Sequence, residues 1–210
     1  LPIILKDRTD EWYVEPFAGG MNVICHVKGN RIASDKHKYL IALFSAVQQG
    51  WKPPIFVTEG EYDSIKIYRE DYPPELVGFV GFNSWGGKWF GGYPRGGKSR
   101  DWWLSANLSL VKQKPQLKGV NMLCSDYREL VIPPKSIVYC DPPYIQTEKY
   151  SVDFDPYYFW KWCRNLVREG HKVFISECHA PDDFTCVWSR MTTETMNDTT
   201  RLEKLFTYGE

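Results

Sequence analysis

No two cysteines are spaced as a metal site or a dithiol motif. The six cysteines (Cys25, Cys124, Cys140, Cys163, Cys178, Cys186) are scattered along 210 residues without a CxxC pair. Zinc motifs draw ligands two to four residues apart, and the adjacent pairs Cys25-His26 and Cys178-His179 do not offer that spacing. A bound metal is therefore not expected, and the cysteines are expected to be buried free thiols. Net charge is also missing: 26 Lys and Arg stand against 26 Asp and Glu. A global field for a polyanion is excluded, so any nucleic-acid partner has to be held by a local patch. No apolar run is long enough to span a bilayer, and no signal-peptide pattern is visible. No membrane partner and a cytoplasmic location are expected. There is no internal repeat. Histidine is scarce, and His37, His171 and His179 have no partner in the sequence; they are expected at the surface or at helix caps.

Apolar residues are plentiful at 43%, and aromatics reach 16%. The length suits one large α/β domain, or one domain with an insert. WYVE (12–15) is a short strand candidate followed by PFAGG. RIAS (31–34) is a second, ending at Asp35. KHKYLIALFSAVQQG (36–50) carries apolar residues at 40, 41, 43, 44 and 47 and stops at a glycine, which predicts an amphipathic helix. Strand, glycine turn, short helix, strand, acid and helix begin a doubly wound parallel sheet. LPIILKD at the start reads as the last turns of a helix, with further residues expected upstream.

The alternation stops at 51–115, which is rich in proline and contains GFVGFNSWGGKWFGGYPRGGKSR (78–100). This segment, 52–116, is expected to be an insert. The alternation resumes at GVNMLC (119–124), SIVYC (136–140), a helix over DPYYFWKWCRNLVREG (155–170), and KVFISE (172–177). FTCVWS (184–189) and RLEKLFTY (201–208), closely connected, predict an antiparallel hairpin at the sheet edge.

Several strands end in acids: Glu15, Asp35, Asp126 and Asp141. Doubly wound sheets bind ligands outside the carboxyl ends of their strands. Asp35, about fifteen residues after Gly19-Gly20, suits hydrogen bonds from ribose hydroxyls. The sequence IVYCDPPY (137–144) is more specific. Prolines cannot donate to a sheet ladder, so the strand stops there and holds Asp141 and Tyr144 at its tip. The exocyclic amine of adenine is a poor nucleophile because its lone pair is delocalised into the ring. An acceptor aimed at its N–H returns the pair to nitrogen. Asp141 supplies one acceptor, the carbonyl of Pro142 a second, and Tyr144 a face for stacking.

VEPFAGG (14–20), SDKHKYLIALF (34–44), LCSDY (123–127), VYCDPPY (138–144), VFISE (173–177) and LEKLFTY (202–208) come in the order of the DNA adenine-N6 methyltransferases. The chain resembles the subgroup whose target-recognition region lies between the cofactor glycines and DPPY, and the resemblance covers nearly all of it. It implies an α/β, Rossmann-like methyltransferase sheet of seven strands with a C-terminal antiparallel hairpin. Residues 1–51 and 117–210 would form the catalytic domain and 52–116 the inserted target-recognition region. It further implies that S-adenosylmethionine is held by Phe17, Ala18, Gly19, Gly20, Asp35, Asp126, Tyr127 and Asp141. A flipped-out adenine of duplex DNA would meet Asp141, Pro142, Pro143 and Tyr144.

The sequence departs from the family in two places. Met21 stands where a third small residue is usual, at the cofactor's methionine end. The family's glycine-glycine-lysine segment before the first strand has no counterpart in the first twelve residues; Gly86-Gly87-Lys88 and Gly96-Gly97-Lys98 lie in the insert. There, Lys88, Arg95, Lys98 and Arg100 alternate with Trp85, Trp89, Phe90 and Tyr93. Cations hold phosphates and aromatics wedge into stacks, so Lys88, Trp89, Arg95, Lys98 and Arg100 are the candidate DNA contacts. A monomer is expected. The alternatives are methylation of cytosine N4 or RNA adenine, and a catalytically silent DNA-binding relative.

Overall fold

The computed structural model describes residues 1–95, 99–143, 154–194 and 199–209. Seven strands form one mixed sheet: β1 (Tyr13–Glu15), β2 (Arg31–Asp35), β3 (Val120–Cys124), β4 (Ile137–Cys140), β5 (Lys172–Glu177), β6 (Phe184–Glu194) and β7 (Thr199–Tyr208). Their order is β3-β2-β1-β4-β5-β7-β6. The first five are mutually parallel, with Val14 beside Ile32 on one side and Val138 on the other. β7 runs antiparallel to both β5 and β6. The chain builds β1-β2-β3 outward in one direction and β4-β5 in the other. The sheet therefore reverses between β1 and β4, as in a Rossmann-like fold.

Helix α1 (Lys38–Gln49) buries Leu40, Ile41, Leu43, Phe44 and Val47, the stripe that its apolar spacing predicts, and ends at Gly50 with φ 110°. Only glycine takes that left-handed position without strain. Helix α5 (Pro156–Arg168) is capped by Asp155, whose side chain accepts from the N–H groups of Tyr157 and Tyr158. It buries Phe159, Trp160, Cys163 and Leu166 against the sheet. Residues 2–7 form consecutive turns rather than the regular helix expected from LPIILKD.

Between α1 and β3 lie three more helices: α2 (Glu59–Ile67), α3 (Pro74–Phe82) and α4 (Ser99–Leu117). Thr58 and Glu61 form a reciprocal cap at the start of α2. Pro74 opens α3, where its missing N–H costs nothing. Gly78 brings α3 onto α1, because a Cβ there would overlap the carbonyl oxygen of Tyr39. Val57, Tyr62, Phe79 and Trp103 of this segment share one buried cluster with Tyr13, Met21, Leu43 and Phe44.

Two sequence expectations need correction. Cys25, Cys140 and Cys163 are buried free thiols, but Cys124 and Cys186 are exposed. They sit on β3 and β6, the two edge strands, where one strand flank has no neighbour to cover it. His171 is buried rather than at the surface: its Nδ1 accepts from the N–H of Ser136 at 3.1 Å, joining the starts of β4 and β5. His37 precedes α1 without capping it through its side chain. Its ring packs edge-on against Phe82 and Trp89.

Candidate functional site

The carboxyl ends of five adjacent parallel strands each carry an acid. In sheet order these are Asp126 just past β3, Asp35 ending β2, Glu15 ending β1, Asp141 just past β4, and Glu177 ending β5. Adjacent strands lie about 4.8 Å apart, so the acids form a row along one edge. Glu177 was not among the acids singled out from the sequence. The signal was the same as for Glu15, an apolar run closing on a carboxylate. It is buried, and its Oε2 accepts from the N–H of Cys178 at 2.7 Å.

The glycine turn after β1 is tied to β2. The N–H of Ala18 donates to the carbonyl of Ser34 at 2.8 Å. The N–H of Gly19 donates to Asp35 Oδ2 at 3.2 Å, and the N–H of His37 to Asp35 Oδ1 at 2.9 Å. Both oxygens of the Asp35 carboxylate are thus fixed by main-chain donors, and lone pairs remain for a ligand. Gly19 has φ 45°, and a Cβ built there would meet nothing within 4 Å. The turn therefore faces open space. Met21 has φ 55° but is fully buried, packed with Ile24 and Val27 in the core. Its side chain leaves the open edge clear, so the departure at this position is absorbed inside the protein.

Phe17 is half-buried and leads into an aromatic cluster. Its ring lies 5.1 Å from that of Tyr127 and edge-on to Phe159 at 5.7 Å. Tyr127 is buried and meets Trp162 edge-on at 5.0 Å. Asp126 is gripped by Arg128, whose Nε and Nη2 donate to its two oxygens at 2.8 Å each. Those hydrogen bonds hold the Asp126 carboxyl below the usual range. Phe17, Asp35, Asp126 and Tyr127 are therefore brought to neighbouring strand ends around the glycine turn.

β1 and β4 are neighbours with Val14 beside Val138, so Glu15 ends its strand level with Tyr139, and Asp141 follows two residues further along the neighbouring strand. Glu15 is buried, and its Oε1 accepts from the hydroxyl of Tyr13 at 2.9 Å. Burial pushes its carboxyl up to about 8, and the negative charge of Asp141 adds to the rise. The Tyr13 hydroxyl and the N–H of Ile24 oppose it. Asp141 itself is exposed, while Pro142 is buried and Pro143 half-buried. The prolines anchor the turn so that the acid is presented outward. Tyr144 lies outside the described residues.

The candidate DNA contacts divide. Lys88 is exposed at the tip of a loop closed by the hydrogen bond from Trp85 N–H to Gly92 O at 2.7 Å. Arg95 is exposed and paired with Glu59 at 2.8 Å. Trp89 is half-buried, its ring packed among His37, Tyr39, Phe82 and Phe90 at centroid distances of 4.4, 5.7, 4.6 and 4.7 Å. Gly81 leaves room for that ring. The aromatic presented to solvent is instead Trp85, 54% exposed beside Trp102. Lys98 and the side chain of Arg100 lie outside the described residues.

Among the described residues, no group of three or more His, Cys, Asp or Glu side chains could hold a metal ion. None of their helices is long and apolar enough to cross a membrane. A scan against known protein-family models and a search of curated proteins each returned no match.

Proposed function

We propose that the chain is an S-adenosylmethionine-dependent methyltransferase acting on the N6 amine of a flipped-out adenine in duplex DNA. The observation that carries this reading is the placement of Asp141-Pro142-Pro143 beside the glycine turn, across the point between β1 and β4 where the sheet reverses. Ligands of such sheets bind at that crevice. The seven-stranded, mostly parallel sheet agrees with the fold of the family that the motifs resemble.

Charge narrows the ligand class. A dinucleotide cofactor brings a pyrophosphate, and the carboxylates of Asp35 and Asp141 repel it, although Glu15 keeps its proton and Asp126 is paired with Arg128. A ligand with a sulfonium and an ammonium group is instead favoured by those carboxylates. The acid row, the open space at Gly19 and the two fixed oxygens of Asp35 all fit S-adenosylmethionine, which when bound supplies an electrophilic methyl group. Asp35 would accept from its ribose hydroxyls, and Phe17, Ala18, Gly19, Gly20, Asp126 and Tyr127 would line its site. Asp141 and the carbonyl of Pro142 would accept from the target amine, which restores the lone pair to nitrogen in the direction of attack. Neither role needs a covalent bond to the protein.

Incubation with tritiated S-adenosylmethionine and unmethylated duplex DNA of mixed sequence is expected to yield labelled N6-methyladenine. Label in cytosine, label only in RNA, or no label with correctly folded protein would each overturn the reading.

The exposed loop of the inserted segment is proposed to hold phosphates. Lys88→Ala is expected to weaken duplex binding several-fold on any sequence and to flatten its salt dependence. Arg95→Ala should do less, because part of its charge is already engaged by Glu59. Binding isotherms at two salt concentrations check both, and unchanged salt slopes would remove Lys88 from the DNA surface.

A further inference from the structure

We infer that helix α4, although part of the inserted segment, also supports the glycine turn, and that Gln113 is the positioning residue through which it does so. The inference rests on the proposed cofactor site. Gln113 Nε2 donates to the carbonyl oxygen of Gly20 at 2.9 Å and to that of Met21 at 3.2 Å. No sequence motif pointed to this residue; it is one polar position in a helix, 92 residues from the turn that it grips.

The turn needs an outside restraint. Gly19 and Met21 both hold positive φ, and for Met21 that conformation is strained. The strain persists only where surrounding contacts over-determine the backbone. Met21 supplies one such contact by burying its side chain. Its N–H donates to the Ala18 carbonyl at 2.7 Å and its carbonyl accepts from the Cys25 N–H at 3.4 Å. Gln113 adds a side-chain hold on the carbonyls of both Gly20 and Met21. A trans peptide points its N–H opposite to its C=O, so fixing the Met21 carbonyl toward α4 turns the Asn22 N–H away from α4.

Gln113 is offered from a fixed support. α4 buries Trp103, Asn107, Leu110 and Leu117, and Gln113 falls on the same face. Its C-terminal carbonyls are held from the catalytic side: Gln48 Nε2 donates to Leu117 O at 2.6 Å, and Arg31 to Gln116 O at 3.0 Å. Asn107 is bonded to the carbonyl of Pro53. One segment therefore performs two separable jobs, with Lys88 facing the polyanion and Gln113 holding the cofactor turn.

Gln113→Glu tests the assignment. The ionised side chain has the same shape but cannot donate, and it sets a negative charge against two carbonyl oxygens. At pH 8 the dissociation constant for S-adenosylhomocysteine, read by calorimetry, is expected to rise about tenfold, as fits the loss of two hydrogen bonds. At pH 5 the gap from wild type should narrow in part, because two facing carbonyl oxygens favour the protonated carboxyl, which donates once. Duplex affinity should match wild type, the melting temperature should fall by only a few degrees, and Gln113→Ala should weaken the ligand at both pH values. Amide exchange is expected to quicken across residues 19–25 in the variant without ligand. An affinity within twofold of wild type at pH 8, or a gap that does not change with pH, overturns the inference. If the wild-type chain binds no S-adenosylhomocysteine, the proposed function fails, and amide exchange decides on Gln113: unchanged rates at 19–25 overturn the role.

Discussion

Asp141→Ala is expected to lower methyl transfer to adenine by about a hundredfold or more, the usual cost of removing a preorganised electrostatic group from a reacting centre. The substitution should leave the fold intact. Asp141 is exposed just past β4, and the strand's own apolar residues Ile137 and Val138 carry the packing. Affinity for S-adenosylhomocysteine and for duplex DNA should stay within a few-fold, so the loss falls on turnover. Asp141→Asn keeps one acceptor oxygen without the charge and should lie between the two. Single-turnover rates at saturating cofactor and DNA check the order. A variant with turnover within threefold of wild type would remove Asp141 from the mechanism.

What could be read from the sequence follows from how locally each feature is encoded. β1, β2 and β4 were visible because strands buried on both faces read as short apolar runs closing on an acid or a proline, and β3 and β5, less fully buried, were visible as short apolar-rich runs that end at or near an acid. Helix α1 was visible in its spacing and its terminal glycine, and α5 in its Asp-Pro start. The carboxylate row was visible for the same reason, except that Glu177 was passed over. Contacts between distant residues were not visible. Nothing in KQKPQ (112–116) indicates that Gln113 reaches Gly20, because a side-chain amide bonds wherever the fold brings a carbonyl. Trp89 stood among cations and glycines and was read as a DNA contact. Gly81, eight residues earlier, clears the space in which its ring packs. The exposure of Cys124 and Cys186 depends on which strands end up at the edges, a property of the sheet order rather than of either strand.

Glu15→Gln is expected to abolish a large pH dependence of stability. In the folded chain the Glu15 carboxyl is raised from 4.5 to about 8. The folded state therefore keeps a proton that the unfolded state releases as pH climbs through that window. With the unfolded state binding fewer protons, stability falls as pH rises, up to about 1.4 kcal/mol per pH unit and on the order of 5 kcal/mol in all. Below the unfolded value both states are protonated and the difference vanishes. Glutamine keeps the neutral shape and an oxygen for the Tyr13 hydroxyl, and it has nothing to ionise. Urea unfolding should thus show the two proteins within about 1 kcal/mol at pH 5 and the variant clearly more stable at pH 9. Parallel stability curves across that range would overturn the assignment. The same measurement on Asp141→Ala tests the coupling between the two strands: without the neighbouring negative charge, Glu15 should ionise at lower pH, so the decline should begin at the same pH, level off earlier and be smaller in all. The consequence for chemistry is a division of roles. Of two carboxyl groups on adjacent strands, the dry one, Glu15, is pushed up by its surroundings, and the other, Asp141, is exposed. At neutral pH the buried Glu15 keeps its proton and adds no second negative charge beside Asp141, which in the proposed reaction would leave the exposed carboxylate as the acceptor for the target amine.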